Sequence, residues 1–209
     1  MLRVLRSGAR WVVKAWAWYG ACGVAAAALG AVLAGCGATR AGYETARHDV
    51  VAREGKFELR DYPATRLAST RMPLGEDSGF MRLFRFISGA NERGEKIAMT
   101  TPVFMERGVE VGRDSMAFVL PEGLESPPSP SSADVTLGSM EGGRFAVHRF
   151  AAGRPDAAVE AGAERRLREW MAGRRLGAEG RAMFAYFDPP WIPRWFRRNE
   201  VMLRVGSGP

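Results

Sequence analysis

The sequence predicts an α+β domain in which two helices pack on a large antiparallel sheet or open barrel. Three observations lead there. Short stretches of apolar/polar alternation recur from residue 44 onward, two segments carry apolar residues at helical spacing, and the order strand, strand, helix, strand, strand is met twice. The halves share no clear residue identity, so the duplication rests on element order alone.

The elements follow in turn. Glu44 to Arg53 and Phe57 to Arg71 alternate loosely, Phe57 and Leu59 against Glu58 and Arg60, around Gly55-Lys56, and read as strands joined by turns. A helix comes next. Asp77 or Ser78 can accept bonds from the first free amides, Phe80, Leu83, Phe84 and Ile87 fall at i, i+3, i+4 and i+7, and Gly89 can take the left-handed stop. Ile97 to Met105 and Ser115 to Leu120 read as strands, with Pro102 confining the first to an edge or a bulge. Pro121 to Ser132 is loop. Strands near Val135 to Met140 and Arg144 to Phe150 precede a helix from about Asp156 to Arg175. Its apolar stripe is Val159, Ala163, Leu167, Trp170 and Met171, with Glu160, Glu164, Arg165, Arg168 and Arg174 expected in solvent. Strands near Ala182 to Phe187 and Glu200 to Val205 close the domain.

The N-terminus has a different character. Residues 1–35 hold Arg3, Arg6, Arg10 and Lys14 and no acid, and the 21 residues Ala15 to Gly35 are uncharged. That is an export signature. The stretch is long enough to span a bilayer, yet alanine and glycine dominate it, which suits a cleavable segment better than a permanent helix. It ends in Leu33-Ala34-Gly35-Cys36, which resembles the lipobox of bacterial lipoproteins, where cleavage precedes the cysteine and its thiol carries the lipid. An uncleaved transmembrane anchor is the alternative. The expected organisation is therefore 1–35 signal peptide or anchor, 36–43 tether and 44–209 one domain, displayed outside the cytoplasm on a bacterial membrane.

Without those four cations the formal net charge of +7 falls to +3 for residues 36–209. A nucleic-acid partner loses its main support, and a monomer is expected. The other cysteine, Cys22, lies in the apolar stretch, so the mature chain has no disulfide or cysteine metal site. Enzyme motifs are missing too: there is no G-x-S-x-G, P-loop or H-E-x-x-H, and only two histidines. No catalytic activity is expected, and Glu106 and Glu110 read as solvation.

Four stretches stand in a telling order: Phe57-Glu-Leu-Arg-Asp-Tyr62; Gly89-Ala-Asn91 running into Lys96-Ile-Ala-Met-Thr-Thr-Pro-Val103; Met116-Ala-Phe-Val-Leu-Pro121 with Pro127-Pro128; and Asp188-Pro-Pro-Trp191 with Arg197-Arg-Asn-Glu-Val201. Together they resemble the SOUL haem-binding family from about Tyr43 to Val205. The resemblance implies a distorted antiparallel barrel with two helices in a pseudo-twofold repeat, and non-covalent binding of haem or another tetrapyrrole as carrier, buffer or scavenger.

A porphyrin needs an apolar slot, cations for its carboxylates and, when it holds iron, optional axial ligands. Phe80, Leu83 and Phe84 offer an apolar face on the first helix, with Arg82 and Arg85 beside it. Relatives that bind without an axial histidine line the pocket from this helix, with a cation matching Arg85. The competing reading makes the same face simply core. Members that use an axial histidine carry it where this chain has Asp61, a poor haem ligand. His148 and Tyr62 are the remaining metal-ligand candidates, with His48 behind them. Aspartate at this position favours the alternative function, a small-molecule sensor or interaction module on the same fold that does not bind haem. Pro189, Pro190, Trp191 and Pro193 read as a rigid turn with an aromatic plug, and Arg197, Arg198 and Glu200 as an ion-pair cluster entering the last strand.

Overall fold

In the computed structural model the described residues are 42–72, 78–108, 114–151, 156–189, 192–193 and 195–206. They form β1 (Glu44–Thr45), β2 (Asp49–Glu54), β3 (Phe57–Tyr62), β4 (Thr65–Met72), α1 (Ser78–Ile87), β5 (Thr100–Thr101), β6 (Val103–Glu106) and β7 (Asp114–Val119). The second half adds β8 (Val135–Met140), β9 (Gly143–Phe150), α2 (Ala157–Gly173), β10 (Gly177–Tyr186) and β11 (Asn199–Gly206). Tyr43–Pro209 is one compact unit.

Nine strands make one open sheet in the order β2-β3-β9-β11-β10-β6-β7-β4-β8, and every pairing in it is antiparallel. With β2 set aside, the order is a palindrome. β3 answers β8, β9 answers β4, β11 answers β7 and β10 answers β6, and each matched pair holds the same place in its half of the chain. This is how the twice-met element order is realised. Because β3 pairs with β9 and β4 with β8, each half gives its first strand to the other. Neither half completes its own sheet.

Local chemistry sets the boundaries. The β2–β3 turn needs a residue with positive φ, and Gly55 supplies it at 57°. Gly89, at φ 116°, ends the helical stretch after α1 as expected. At α2, Asp156 is the N-cap, its Oδ1 accepting from the amides of Ala158 (2.9 Å) and Val159 (3.1 Å). Pro102 does not confine its strand to an edge. It divides β5 from β6, with a cis peptide before it, and β6 then lies inside the sheet between β10 and β7. A proline has no N–H for a ladder, so the strand breaks at that residue rather than moving outward.

Both helices pack on one face. Leu83, Phe86 and Ile87 of α1 share a core with Ala163, Leu167 and Met171 of α2 and with Ala68, Phe118, Ala146, Phe184, Val201 and Leu203 of the strands. Leu83, Leu167 and Leu203 are wholly buried, each worth about 1.5–3 kcal/mol relative to exposure. The opposite face carries a second core of Tyr62, Phe104, Phe145, Val147, Met183, Ala185 and Met202. Among the described residues no helix covers it, so its burial there comes from the sheet curling over its own face, as in an open barrel rather than a flat layer.

The α2 stripe differs from expectation at two positions. Val159 is 38% exposed, whereas Glu160, expected in solvent, is 2% exposed. Glu160 stands three residues before Ala163 and seven before Leu167, so helical geometry puts it on the inward face. Its carboxylate is satisfied there, accepting from Arg107 Nε (2.7 Å) and Nη2 (3.0 Å) and from the Tyr186 hydroxyl. Burial, then this hydrogen bond, raises the Tyr186 pKa well above the usual tyrosine value. Arg107 also pairs with Asp114 at 2.6 Å, so the cluster ties α2 to β7, β10 and the residue that follows β6.

Candidate functional site

The sequence S-G-F-M-R-L-F-R-F-I of α1 divides into two faces. Leu83, Phe86 and Ile87 point at the sheet, and Gly79 sits so close to β4 that a Cβ there would stand 2.7 Å from Met72 Cγ. Leu83, expected to line a ligand slot, is therefore core. It is 0% exposed and touches no external ligand while α1 stays docked. Phe80 and Phe84 lie on the outer flank, 39% and 43% exposed. Their rings stack at 6.0 Å between centroids, and Phe80 turns an edge to Phe118 at 5.3 Å. Met81 beside them is also exposed. One exposed apolar side chain is ordinary, but three within five residues of one helix make a patch.

The two arginines part as well. Arg82 is half-buried and Nη1 donates to the Arg71 carbonyl at 3.0 Å, which fixes it along β4. Arg85, next to Phe84, is exposed. Of the five residues expected to bind a ligand, the structure brings Phe80, Phe84 and Arg85 to one accessible edge, adds Met81, sends Leu83 inward and engages Arg82 elsewhere.

The axial candidates separate in the same way. Tyr62 is buried on the face away from the helices, where its hydroxyl accepts from Arg60 Nη1 at 3.2 Å and its ring lies 5.0 Å from that of His48. Burial raises its pKa, which opposes the tyrosinate that iron would need. Tyr62 is thus a structural residue, remote from the α1 patch. His48 Nδ1 lies 3.0 Å from the Ala46 carbonyl. Asp61 forms an exposed bidentate pair with Arg144, both contacts 2.8 Å, and this pair lowers its pKa.

His148 is different. It projects from β9 toward α2, is 5% exposed, and stacks on Phe57 at 4.4 Å, which stacks in turn on Trp170 at 5.2 Å. Its Nδ1 is buried with no hydrogen-bond partner. Burial holds its pKa below the usual histidine value against the opposing Lys56 carbonyl, and the nearby Arg166 and Lys56 charges act in the same direction as burial. The ring is therefore neutral near pH 7. It borders a groove of about 570 Å³ between the β2–β3 turn, β9 and α2, lined also by Lys56, Phe57, Phe150, Val159 and Arg166.

On the other face the last strand enters a buried ion cluster. Glu200, 1% exposed, receives both terminal nitrogens of Arg60, likewise 1% exposed, at 2.6 and 3.0 Å. Arg198 Nε adds 2.8 Å to the same carboxylate, and Arg60 Nε reaches Glu58 at 2.7 Å. Burial alone would raise the Glu200 pKa, but the arginines hold it below the usual carboxylate value. The expected cluster thus forms around Glu200 and Arg198, while Arg197 Nε donates to the Ile192 carbonyl. Pro190 and Trp191, like Cys36, lie outside the described residues. Among the described residues no three His, Cys, Asp or Glu side chains converge to hold a metal ion, and no helix is long and apolar enough to cross a membrane.

Residues 43–204 match the family model described as SOUL heme-binding protein. The chain belongs to the SOUL family. No curated protein matches it. Among solved structures, the SOUL chain is similar to the EcmrR C-terminal domain at 13% identity and TM-score 0.54, covering 72% of this chain and 97% of that one. It is also similar to an uncharacterized conserved protein from Listeria innocua at 13% identity and TM-score 0.54, covering 74% and 94%. A hydrolase from the same organism follows at 9% identity and TM-score 0.52, covering 75% and 94%. At such identities these likenesses show a shared fold and nothing about chemistry.

Proposed function

We propose that this chain binds haem or a related tetrapyrrole without turnover, as carrier, buffer or scavenger. The observation that carries the reading is the exposed Phe80–Phe84 pair with Arg85 at its edge, in a member of a haem-binding family. The patch fits a porphyrin in kind. The stacked rings and Met81 supply an apolar platform, and Arg85 supplies a cation for a propionate. Bound haem would bring an iron with open coordination. Of the side-chain types that ligate haem iron, α1 carries Met81 and no histidine, cysteine or tyrosine, and its other residues at this edge contribute apolar contact and charge.

The test is a haemin titration of the full-length protein followed by the Soret band, with Arg85→Glu as the comparison. Arg85 is exposed, so reversing its charge should weaken haemin binding about tenfold, equivalent to about 1.4 kcal/mol. Placing an acid in the last turn of α1 should cost the fold only a few tenths of a kcal/mol. Equal haemin affinity in a folded Arg85→Glu protein would remove α1 as the site.

We further propose that a lipid on Cys36 holds the domain outside the cytoplasm on a bacterial membrane, as a monomer. The charge-free stretch ending in Leu33-Ala34-Gly35-Cys36 supports this. Cys36→Ala should abolish lipid labelling and leave the precursor uncut. A wild-type mature chain that still begins at Met1 would replace the lipid with a transmembrane anchor.

A further inference from the structure

We propose that the groove between the β2–β3 turn, β9 and α2 is a second porphyrin site, with His148 as its built-in polar contact and Lys56 and Arg166 as partners for carboxylates. The inference rests on the reading that this chain binds tetrapyrroles. His148 and Arg166 come from the second half of the chain, whereas α1 belongs to the first; the β2–β3 turn adds Lys56.

The observation that sets this groove apart is the His148 Nδ1, buried and without a partner. A buried polar atom left unsatisfied is costly to the fold. A site that keeps one calls for an explanation, and a bound ligand is one. The ring is held in place by stacking, with Phe57 between it and Trp170. The stack thus fixes the imidazole in the wall of the groove.

The rest of the lining has the same chemistry. Phe57, Phe150 and Val159 give apolar wall. Lys56 and Arg166 are exposed and have no carboxylate partner among the described residues. Both lie near enough to His148 to act on its charge. The groove's acid is already engaged, since Glu54 pairs with Arg174. Arg149 lines the groove but carries its guanidinium toward Glu200, 3.8 Å away. What remains is an apolar wall with two unpaired cations and one neutral imidazole. A ligand of apolar body and anionic rim matches it, and a volume of about 570 Å³ lies within the range of small-molecule sites.

The chain has only two histidines, so imidazole NMR of the full-length protein reads the groove directly, with metal-free protoporphyrin IX as probe. Ring currents from a porphyrin in the groove should shift the His148 signals strongly and the His48 signals little. The shift should persist in Arg85→Glu. In Arg166→Glu, an exposed substitution compatible with the fold, the groove affinity should fall about tenfold while the α1 site is unaffected. Wild-type protein should titrate with two equivalents of porphyrin. Porphyrin binding by fluorescence with unmoved His148 signals, or one equivalent that Arg166→Glu leaves unchanged, would overturn the groove and leave the α1 reading standing. No porphyrin binding to the wild type by either method would overturn both.

Discussion

Replacing Glu200 by glutamine should destabilise the domain by about 3–5 kcal/mol at pH 7, measured by urea unfolding with an unchanged slope. Arg60 and Glu200 are each 1% exposed, and the carboxylate accepts both terminal guanidinium nitrogens of Arg60. Removing the charge leaves a cation that cannot reach water. Glu58 still holds Arg60 Nε, which argues for the lower part of the range. The pH dependence follows from the direction of the shift. The Glu200 pKa is lowered from an ordinary value of 4.5, so its contribution is full above about pH 4.5 and is lost as pH falls through the folded-state value. The gap between wild type and Glu200→Gln should therefore narrow on acidification below that point. A loss under 1 kcal/mol at pH 7, or a gap that widens in acid, would mean that the cluster is not a net stabiliser.

The cluster also shows what the sequence hides. In Phe57-Glu-Leu-Arg-Asp-Tyr62 the alternation is plain, and the natural inference buries Phe57 and Leu59 and exposes Glu58 and Arg60. In the fold Glu58 and Arg60 are buried and Phe57 and Leu59 only partly so, because a sheet curled over its own face has two interiors. Period two identifies a strand and its two faces, but not which face meets water. The partner of Arg60 lies 140 residues away, and nothing local announces it. For Glu160 the helical spacing to Ala163 and Leu167 does mark the inward face, but the partners that satisfy it there, Arg107 and Tyr186, stand 53 and 26 residues off. Element types and order were legible because they depend on neighbours in sequence. Val135–Met140, for example, is the observed β8 residue for residue.

The α1 site was legible in composition and ambiguous in rotation. Phenylalanines at 80, 84 and 86 admit two apolar faces, one through Phe80, Leu83, Phe84 and Ile87 and one through Leu83, Phe86 and Ile87. Docking on β4 and β7 selects the second, and Gly79 allows the close approach to β4. That choice frees Phe80 and Phe84 for a ligand. The competing expectation, that the face is simply core, holds for Leu83 and fails for its two aromatic neighbours. Spacing alone could not make this division, since it depends on how α1 is rolled about its axis.

This division gives the prediction with the largest effect on binding. Phe84→Asp should abolish measurable haemin binding at the α1 edge, a loss of at least a hundredfold or about 2.7 kcal/mol. The porphyrin face would have to bury an unpaired carboxylate or force it to take up a proton. The fold should survive. Phe84 is 43% exposed, so the new carboxylate stays hydrated in the free protein, and the direct loss is its stacking with Phe80, about 0.5–1.5 kcal/mol. Leu83→Asp is the contrast, because Leu83 is 0% exposed and a charge there has neither water nor a partner. That variant should unfold by circular dichroism while Phe84→Asp keeps its native spectrum. If Phe84→Asp also unfolds, the rotation of α1 described above is wrong. If it stays folded and its α1 affinity is unchanged, porphyrin does not rest on these rings.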